Sequence, residues 1–321
     1  MQSIDELELP RVGIGCNAFG SRMDADQVVA VVDAAIDHGV AFFDTADVYG
    51  LGASEELLGQ AIRGRRDDVI VATKFGMDLQ GLNGDDSATG GGRRGSPEYV
   101  RTAVDASLRR LGIEQIDLYQ FHTPDRKTPI AETLGALDDL VKAGKVRAIG
   151  CSNVRAWELV DADWTATTSG LTRFVTAQNE YSLYNRVAEE ELVPACVKHD
   201  VGLIPYFPLA YGLLTGKYRR GEAAPEGTRL AASNQAARLA GADWDRIEAL
   251  QRFADDRGVT LLELAIGGLA GQPGVVSVIA GATKPEQVAA NAAAGAWTPT
   301  IDDLIALRHL RPTLPTSATY A

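Results

Sequence analysis

The chain alternates short runs of β-branched and aromatic residues with longer stretches in which apolar residues recur every three or four positions. The first pattern is typical of buried strands and the second of amphipathic helices. Eight strands are predicted, at VGIG (12–15), VAFFDTA (40–46), VIVATK (69–74), IDLYQFH (116–122), VRAIGC (146–151), RFVTAQ (173–178), GLIPYF (202–207) and VSVIAG (276–281). Helix-length stretches fill the intervals, so the chain consists of eight βα units.

The regular spacing of these units favours one architecture. Six strands begin at 40, 69, 116, 146, 173 and 202, mostly 27 to 30 residues apart, which is room for one strand, one helix and two short loops. Eight such units favour a closed (β/α)8 TIM barrel in a single domain over 1–321. A doubly wound open sheet uses the same alternation and is the alternative. Ser54 and Pro97 mark helix starts, and Gly112 marks a helix end.

Two intervals are longer than a βα connection needs. They are 76–95, after the third strand, and 208–235, after the seventh, and a C-terminal extension of about 296–321 follows the last helix. Loops that follow strands lie at the C-terminal face of a barrel, where active sites form. Plain surface insertions are the alternative.

The charge balance narrows the range of partners. There are 43 acidic and 31 basic residues, a formal net charge of −12, which opposes binding to nucleic acid or anionic lipid. The best basic run, Arg63, Arg65 and Arg66, is followed at once by Asp67 and Asp68, which is typical of a solvated helix end. We therefore expect no nucleic-acid or membrane partner.

Cysteines and histidines are scattered, at 16, 151 and 196 and at 38, 122, 199 and 309. That spacing predicts neither a disulfide framework nor a metal site. The acidic first residues contain no apolar signal segment, and charged residues interrupt every long apolar stretch. The sequence therefore predicts a cytoplasmic protein that works without a metal.

Ionisable residues stand at the ends of three successive predicted strands: Asp44 in FFDTA, Lys74 in VIVATK and His122 in LYQFH. Tyr49 follows Asp44 by five residues. One charged residue at a strand end is often just the first solvated position after burial. Three in succession, which would face the barrel mouth together, indicate a catalytic site.

These four residues, called the tetrad below, suit acid catalysis at a carbonyl oxygen. An ammonium lowers the pKa of a neighbouring phenol, so Lys74 would activate Tyr49, and Asp44 would keep the lysine protonated. His122 would donate a hydrogen bond to the carbonyl oxygen. The tetrad contains neither a nucleophile nor a metal, so a bound hydride donor is the natural source of electrons.

A second motif points elsewhere. GIGCNA (13–18) matches the dinucleotide fingerprint G-x-G-x-x-A, and Asp37 lies about 20 residues further on. However, the next helix begins only near Asp24, so no helix N-terminus would lie at the glycines. Asp37 also falls at a helix end rather than after a strand. This context disfavours a Rossmann site.

From about residue 10 to residue 295 the chain resembles the aldo-keto reductase family, in the bacterial branch that is similar to potassium-channel β subunits. The motifs that carry the resemblance are, in order, FFDTADVYG, VIVATK, IDLYQFH, GKVRAIGCSNV, AQNEYSLYNR, PYFPLAYGLLTGKY and IAGATKPEQVAAN. The resemblance implies a (β/α)8 barrel with NADPH across its C-terminal face. It also implies that Tyr49 is the general acid, that Lys74 and Asp44 set its pKa, and that His122 orients the carbonyl.

The resemblance further implies three groups of cofactor contacts. The nicotinamide carboxamide and ring would lie on Ser152, Asn153, Gln178 and Tyr206, the last stacking under the ring. The pyrophosphate would lie under the loop from Leu209 through Gly212 to Lys217. The adenosine end would lie on Gly281, Thr283, Lys284, Gln287 and Asn291. Its 2′-phosphate would lie near Thr283 and Lys284.

Three departures from the family pattern stand beside the resemblance. Thr123 follows the histidine where relatives often have an aromatic residue, and Phe19 stands where many have a tryptophan. Gln287 replaces an arginine of some relatives, which leaves Lys284 as the main cation for the 2′-phosphate. The tetrad is intact, but the substrate cannot be carried over from better-known relatives.

The sequence thus predicts an NADPH-dependent oxidoreductase that transfers hydride reversibly between nicotinamide and an aldehyde or ketone of a small metabolite or sugar. The alternative is an NADPH-binding sensor or channel-β-like partner protein with slow turnover.

Overall fold

Ten strands are present in the residues that the computed structural model describes, which are 2–4, 7–77, 92–231 and 235–310. Two short ones come first, β1 (Gln2–Ile4) and β2 (Leu7–Leu9). The eight predicted strands follow as β3 (Val12–Gly15), β4 (Phe42–Asp44), β5 (Ile70–Phe75), β6 (Ile116–Phe121), β7 (Val146–Ser152), β8 (Thr176–Gln178), β9 (Gly202–Leu203) and β10 (Val278–Gly281).

The eight strands form one parallel sheet that closes on itself. Each strand from β3 to β8 pairs in parallel with the next, and β10 pairs with β3. Backbone bonds join the remaining edges: the Val276 N–H donates to the Leu203 carbonyl at 3.0 Å, and the Ile279 N–H donates to the Pro205 carbonyl at 3.1 Å. The fold is therefore a (β/α)8 barrel, and the doubly wound alternative is wrong.

The N-terminal hairpin closes the bottom of this barrel. β1 and β2 pair antiparallel, and Leu7 and Leu9 are 2% and 0% exposed. Both pack into a core cluster of inward-facing strand residues, which includes Phe42, Leu118 and Ile204. Apolar side chains thus fill the N-terminal half of the barrel and leave polar groups for its other end.

The described helices surround the barrel. They are α1 (Ala25–Asp37), α2 (Ala53–Ala61), α3 (Pro97–Leu111), α4 (Ile130–Lys142), α5 (Ala156–Ser169), α6 (Leu192–Lys198), α7 (Ala236–Ala240), α8 (Trp244–Asp255), α9 (Leu261–Ala270), α10 (Pro285–Ala296) and α11 (Ile301–His309). No helix in the described ranges is long and apolar enough to cross a membrane.

Helix boundaries agree with the predictions at α3 and differ at α2. Pro97 is the first residue of α3, and Gly112 ends it in the left-handed conformation, at φ 63°. Ser54 is wrong as a helix start, because α2 already begins at Ala53. The Ser54 hydroxyl is buried instead and donates to the Cys16 carbonyl at 2.9 Å.

The two long intervals and the extension are only partly described. Of 76–95, residues 78–91 lie outside the described residues, as do 232–234 of the interval 208–235. The described part of the second interval contains a kinked turn, Ala210–Thr215, in which Tyr211 and Gly212 have positive φ, and a 3-10 helix, Arg229–Ala231. In the C-terminal extension α11 is described, and 311–321 are not.

Gly59 marks the closest approach of α2 to the end of α3. A Cβ atom there would lie 2.2 Å from the Leu111 carbonyl oxygen. We expect Gly59→Ala to lower the free energy of unfolding by about 1–3 kcal/mol, measured by urea denaturation, because backbone must move. Gly135→Ala in α4 is the control, since its Cβ would meet nothing within 4 Å. Equal losses in both variants would contradict the contact as the cause.

Candidate active site

The tetrad lies at the C-terminal end of the barrel. Asp44 is the last residue of β4, Lys74 is the fifth residue of β5, and His122 follows β6 directly. Tyr49 begins a short turn after β4, in which Gly50 and Leu51 have left-handed conformations, at φ 58° and 52°. Because these strands are neighbours in one parallel sheet, their carboxyl ends bring the four side chains to one place.

Lys74 is the centre of the site. Its Nζ atom donates to Asp44 Oδ2 at 2.6 Å, to the Thr45 carbonyl at 2.8 Å and to the Tyr49 hydroxyl at 3.4 Å. Lys74 is 0% exposed and Asp44 is 2% exposed. An ammonium carries three protons, so each of them has an acceptor within the protein. The ion pair and the phenol are thereby held in one arrangement.

Two amides hold the other oxygen of Asp44. Gln120 and Gln178 each donate from Nε2 to Asp44 Oδ1 at 2.9 Å. Gln178 was predicted as a cofactor contact, whereas Gln120 was missed. A signal for it existed: Gln120 is a polar residue two positions before His122 in a strand that contains few other polar residues, so both side chains face the barrel interior.

His122 lies beside the phenol as a neutral imidazole. The rings of Tyr49 and His122 are perpendicular, with centroids 5.9 Å apart. Burial lowers the pKa of His122 well below its usual 6.5, and the charge of Lys74 lowers it further. The Nδ1 atom of His122 is buried and has no hydrogen-bond partner among the described residues. The imidazole can therefore take a donor or acceptor role toward a bound molecule.

The phenol is less acidic than the sequence predicted. Burial raises the pKa of Tyr49 above its usual 10, and this effect exceeds the opposing charge of Lys74. Lys74 thus lowers the pKa of Tyr49 as predicted, but the net pKa of the phenol is raised. For Lys74, burial disfavours the ammonium, but the charge of Asp44 and the hydrogen bonds to Asp44 and Tyr49 outweigh it and raise the pKa of the lysine. At neutral pH the site holds a phenol, an ammonium and a neutral imidazole.

The residues predicted at the nicotinamide form one network with the tetrad. The Ser152 hydroxyl donates to the Gln178 carbonyl at 2.8 Å. Asn153 donates from Nδ2 to the His122 carbonyl at 2.9 Å, and the Tyr206 hydroxyl donates to Asn153 Oδ1 at 2.8 Å. Asn153 itself has a left-handed backbone, at φ 56°. These contacts fix the four side chains next to the tetrad.

The residues predicted at the adenosine end gather at the start of α10. Lys284 caps this helix without a side-chain bond, and Pro285 is its first residue. Gln287 Oε1 accepts from the Thr283 N–H at 2.7 Å and from the Thr283 hydroxyl at 3.2 Å. Asn291 is 3% exposed, and its Nδ2 atom has no partner among the described residues. Gly281 ends β10 directly before this group.

The residues predicted at the pyrophosphate lie on the loop after β9. Leu209 and Gly212 belong to its first turn, where the Gly212 N–H donates to the Leu209 carbonyl at 2.8 Å. Lys217 is exposed at the end of this turn. It forms no ion pair with a described carboxylate.

Three arginines near this loop were not predicted as site residues. The Arg229 guanidinium carbon lies 5.0 Å from the centre of the Tyr211 ring, and that of Arg238 lies 3.5 Å from it. Burial lowers the pKa of Arg229, and the charges of Arg22 and Arg238 lower it further. Within the described ranges, none of the three forms an ion pair with a carboxylate. Three arginines without a carboxylate partner in the described structure therefore lie beside this loop.

Comparison with known proteins matches the model of the Aldo/keto reductase family to residues 11–311. A probable voltage-gated potassium channel subunit beta of Arabidopsis thaliana is 35% identical over 281 residues, which cover 85% of this chain and 83% of that protein. Versiconal hemiacetal acetate reductase of Aspergillus parasiticus is 32% identical over 298 residues, 87% of each chain. Probable aldo-keto reductase 1 of Glycine max is 38% identical over 216 residues, 66% of this chain and 59% of that one.

Proposed function

The chain belongs to the aldo/keto reductase family and is an oxidoreductase, and from this premise we propose that it uses NADPH to reduce an aldehyde or ketone of a small metabolite or sugar, reversibly. The observation that carries the proposal is the buried contact of Lys74 with both Asp44 and Tyr49. A structural ion pair would not need a phenol on the same ammonium, nor an imidazole beside it. Acid catalysis at a carbonyl oxygen can use both, the phenol as the proton donor and the imidazole to orient the carbonyl.

Each member of the tetrad has a distinct role in this proposal. Tyr49 gives its proton to the carbonyl oxygen as negative charge develops there. Lys74 stabilises the phenolate that remains, because its ammonium already points at the phenol oxygen. Asp44 keeps the lysine charged and in place, supported by the amides of Gln120 and Gln178. His122, neutral at working pH, orients the carbonyl by a hydrogen bond.

A nicotinamide dinucleotide fits the polar groups around the tetrad and supplies the hydride when bound. The support lies in two buried nitrogens without a partner in the described structure, His122 Nδ1 beside the phenol and Asn291 Nδ2 on α10. The residues that would hold the nicotinamide end are Ser152, Asn153, Gln178 and Tyr206. Those for the pyrophosphate are Leu209, Gly212 and Lys217, and those for the adenosine end are Gly281, Thr283, Lys284, Gln287 and Asn291.

The preference for NADP over NAD rests on the start of α10. Lys284 precedes the first turn of this helix, whose partial positive charge attracts a phosphate. The Gln287 amide is neutral and adds no charge there, and its oxygen accepts from Thr283. Lys284 therefore remains the cation proposed for the 2′-phosphate, the group that NAD lacks.

We expect the protein to bind NADPH about 5- to 150-fold more tightly than NADH, in the lower half of that range, since one charge-assisted contact contributes about 1–3 kcal/mol. Lys284→Ala should bring the two affinities close to parity by weakening NADPH alone. Lys217→Ala is the control: both cofactors have a pyrophosphate, so it should weaken them equally. The measurement is titration by quenching of tryptophan fluorescence. Tighter binding of NADH to the unmutated protein would overturn the preference.

A second candidate is a binding function with slow turnover, a sensor or channel-β-like partner. The observation in its favour is the 35% identity to a probable voltage-gated potassium channel subunit beta. A turnover assay with NADPH and generic carbonyls, nitrobenzaldehyde and methylglyoxal, separates the two. Steady consumption of NADPH, followed by the absorbance of its reduced nicotinamide, supports the reductase. Tight binding of NADPH without consumption supports the sensor.

A further inference from the structure

Gln120 connects the buried ion pair of the tetrad to Gln178, a residue predicted at the nicotinamide. Gln120 Nε2 donates to Asp44 Oδ1 at 2.9 Å, and Gln120 Oε1 accepts from Gln178 Nε2 at 3.3 Å. Gln178 Nε2 also donates to Asp44 Oδ1 at 2.9 Å. Gln120 is 0% exposed and Gln178 is 2% exposed. The three side chains, called the amide triangle below, are therefore joined in a closed ring of buried hydrogen bonds.

The carboxylate determines which end of each amide faces it. A side-chain amide has a donor end, its NH2 group, and an acceptor end, its oxygen, whereas a carboxylate only accepts. Asp44 is ionised in its pair with Lys74, so both glutamines present nitrogen to it. If the Gln178 amide were turned over, its oxygen would face the oxygens of Asp44 and Gln120 with no proton between them. The amide triangle therefore admits one orientation of Gln178.

This orientation leaves Gln178 with one group for a bound molecule. An amide nitrogen carries two protons, and those of Gln178 go to Asp44 and Gln120. The Gln178 Oε1 atom accepts no hydrogen bond from a described residue. A bound molecule thus meets an acceptor at Gln178, which matches a donor such as the NH2 group of a carboxamide. A group that only accepts, such as a ketone, would place two oxygens against each other.

Gln120 supports the orientation from inside the barrel. Both of its polar side-chain atoms bond within the amide triangle, and the side chain is fully buried. Its oxygen holds the second proton of the Gln178 amide, the one that Asp44 does not hold. Gln120 therefore acts through Gln178 rather than on a bound molecule.

We propose that Gln120 is a positioning residue that holds the Gln178 amide with its oxygen toward the bound cofactor, and thereby selects a cofactor whose nicotinamide carries an NH2 group. The inference rests on the proposed binding of NADPH. It goes further in assigning the selection of this group to a residue that does not contact it. It also gives Asp44 a second task, since one oxygen holds Lys74 while the other fixes the amides.

The test compares two reduced cofactors that differ in one group. The 3-acetylpyridine analogue of NADPH has an acetyl group in place of the carboxamide, so it keeps the carbonyl and lacks the NH2 donor. The unmutated protein should bind NADPH about 5- to 150-fold more tightly than the analogue, the effect of leaving a buried acceptor without a partner. Both affinities are measured without substrate, by quenching of tryptophan fluorescence, and their ratio is the readout.

Gln120→Met removes both hydrogen-bonding ends at similar side-chain length. Gln178 then loses one of its two restraints and can turn its NH2 group toward the acetyl oxygen, so the ratio should fall about 2- to 10-fold. NADPH should bind more weakly, whereas the analogue should bind no more weakly than before. Gln115→Met is the matched control, because that glutamine is exposed just before β6 and its amide donates to the Gly144 carbonyl. It should leave the ratio unchanged.

A double-mutant cycle shows whether Gln120 acts through Gln178. Gln178→Met should bind the two cofactors with similar affinity, and adding Gln120→Met should not change that ratio further. Thermal unfolding shows that each variant is folded. Gln120→Glu is the second probe if Gln120→Met is unstable: at mildly acidic pH its carboxyl group shares a proton with Asp44 and still accepts from Gln178, so the ratio should stay that of the unmutated protein.

An unchanged ratio in Gln120→Met would overturn the proposed role of Gln120, because a purely structural role weakens both cofactors equally. A loss of the ratio in Gln120→Glu, or a further change on adding Gln120→Met to Gln178→Met, would overturn it too. Equal binding of the two cofactors to the unmutated protein would overturn the selection of the NH2 group. All these outcomes leave the proposed function standing, whereas failure of the unmutated protein to bind NADPH would overturn both.

Discussion

Tyr49→Phe should reduce turnover with an aldehyde by about 10²- to 10⁴-fold, the usual contribution of a general acid, while NADPH affinity stays nearly unchanged. The substitution removes one hydroxyl, which is the proton donor, and keeps the ring that packs against His122. Single-turnover measurements under conditions where chemistry is rate-limiting give the effect directly. A variant that retained more than half of the unmutated rate would show that another group is the acid.

Tyr119→Phe is the matched control for this loss. The Tyr119 hydroxyl, on β6, is also buried and has no partner among the described residues. Removing it should leave turnover unchanged.

The pH dependence of the rate gives a further check. Burial raises the pKa of Tyr49, so the phenol is already protonated at neutral pH and a lower pH should not increase the rate. The rate should decline only on the alkaline side, as the phenol ionises.

Lys74→Met should abolish measurable reduction and also destabilise the fold. It removes the ammonium that stabilises the phenolate, and it leaves the carboxylate of Asp44 buried without a counter-charge. Breaking a buried ion pair in this way costs about 3–5 kcal/mol, and the two amides on Asp44 place the expected loss at the lower end. Denaturant unfolding measures the loss of stability, and the turnover assay measures the loss of rate.

The double variant Asp44→Asn/Lys74→Met separates the two effects. The asparagine amide is neutral, so no unpaired charge would remain buried. Its oxygen can still accept from Gln120 and Gln178. Most of the lost stability should return, whereas activity should not. If Lys74→Met were as stable as the unmutated protein and active, the proposed coupling of Asp44, Lys74 and Tyr49 would be disproved.

Periodicity in the sequence predicted the barrel because its strands are buried and evenly spaced. It did not predict the hairpin of β1 and β2, since three-residue strands are too short to show a period. The sequence also predicted the wrong role for Ser54, as the start of a helix. A serine at a helix start is recognised by type alone, and only the packed structure shows that its hydroxyl serves the Cys16 carbonyl.

The sequence predicted the site residues that stand at the ends of strands, which are Asp44, Lys74 and His122. It did not predict the cluster of Arg22, Arg229 and Arg238, because the first lies some 200 residues from the others and only the closed barrel makes them neighbours. The direction in which the pKa of Tyr49 shifts could not be predicted from the sequence either. Its direction depends on how far burial outweighs one charge, and burial of a loop tyrosine is a property of the fold.

The complete engagement of the Lys74 ammonium has a chemical consequence for an enzyme that handles aldehydes. A free lysine amine condenses with an aldehyde to an imine, and this requires an unprotonated nitrogen with an available lone pair. Lys74 has no such lone pair at neutral pH, because it is charged, has its pKa raised by Asp44 and Tyr49 against the effect of burial, and donates all three protons inside the protein. The lysine can therefore lie beside reactive carbonyls without being modified by them.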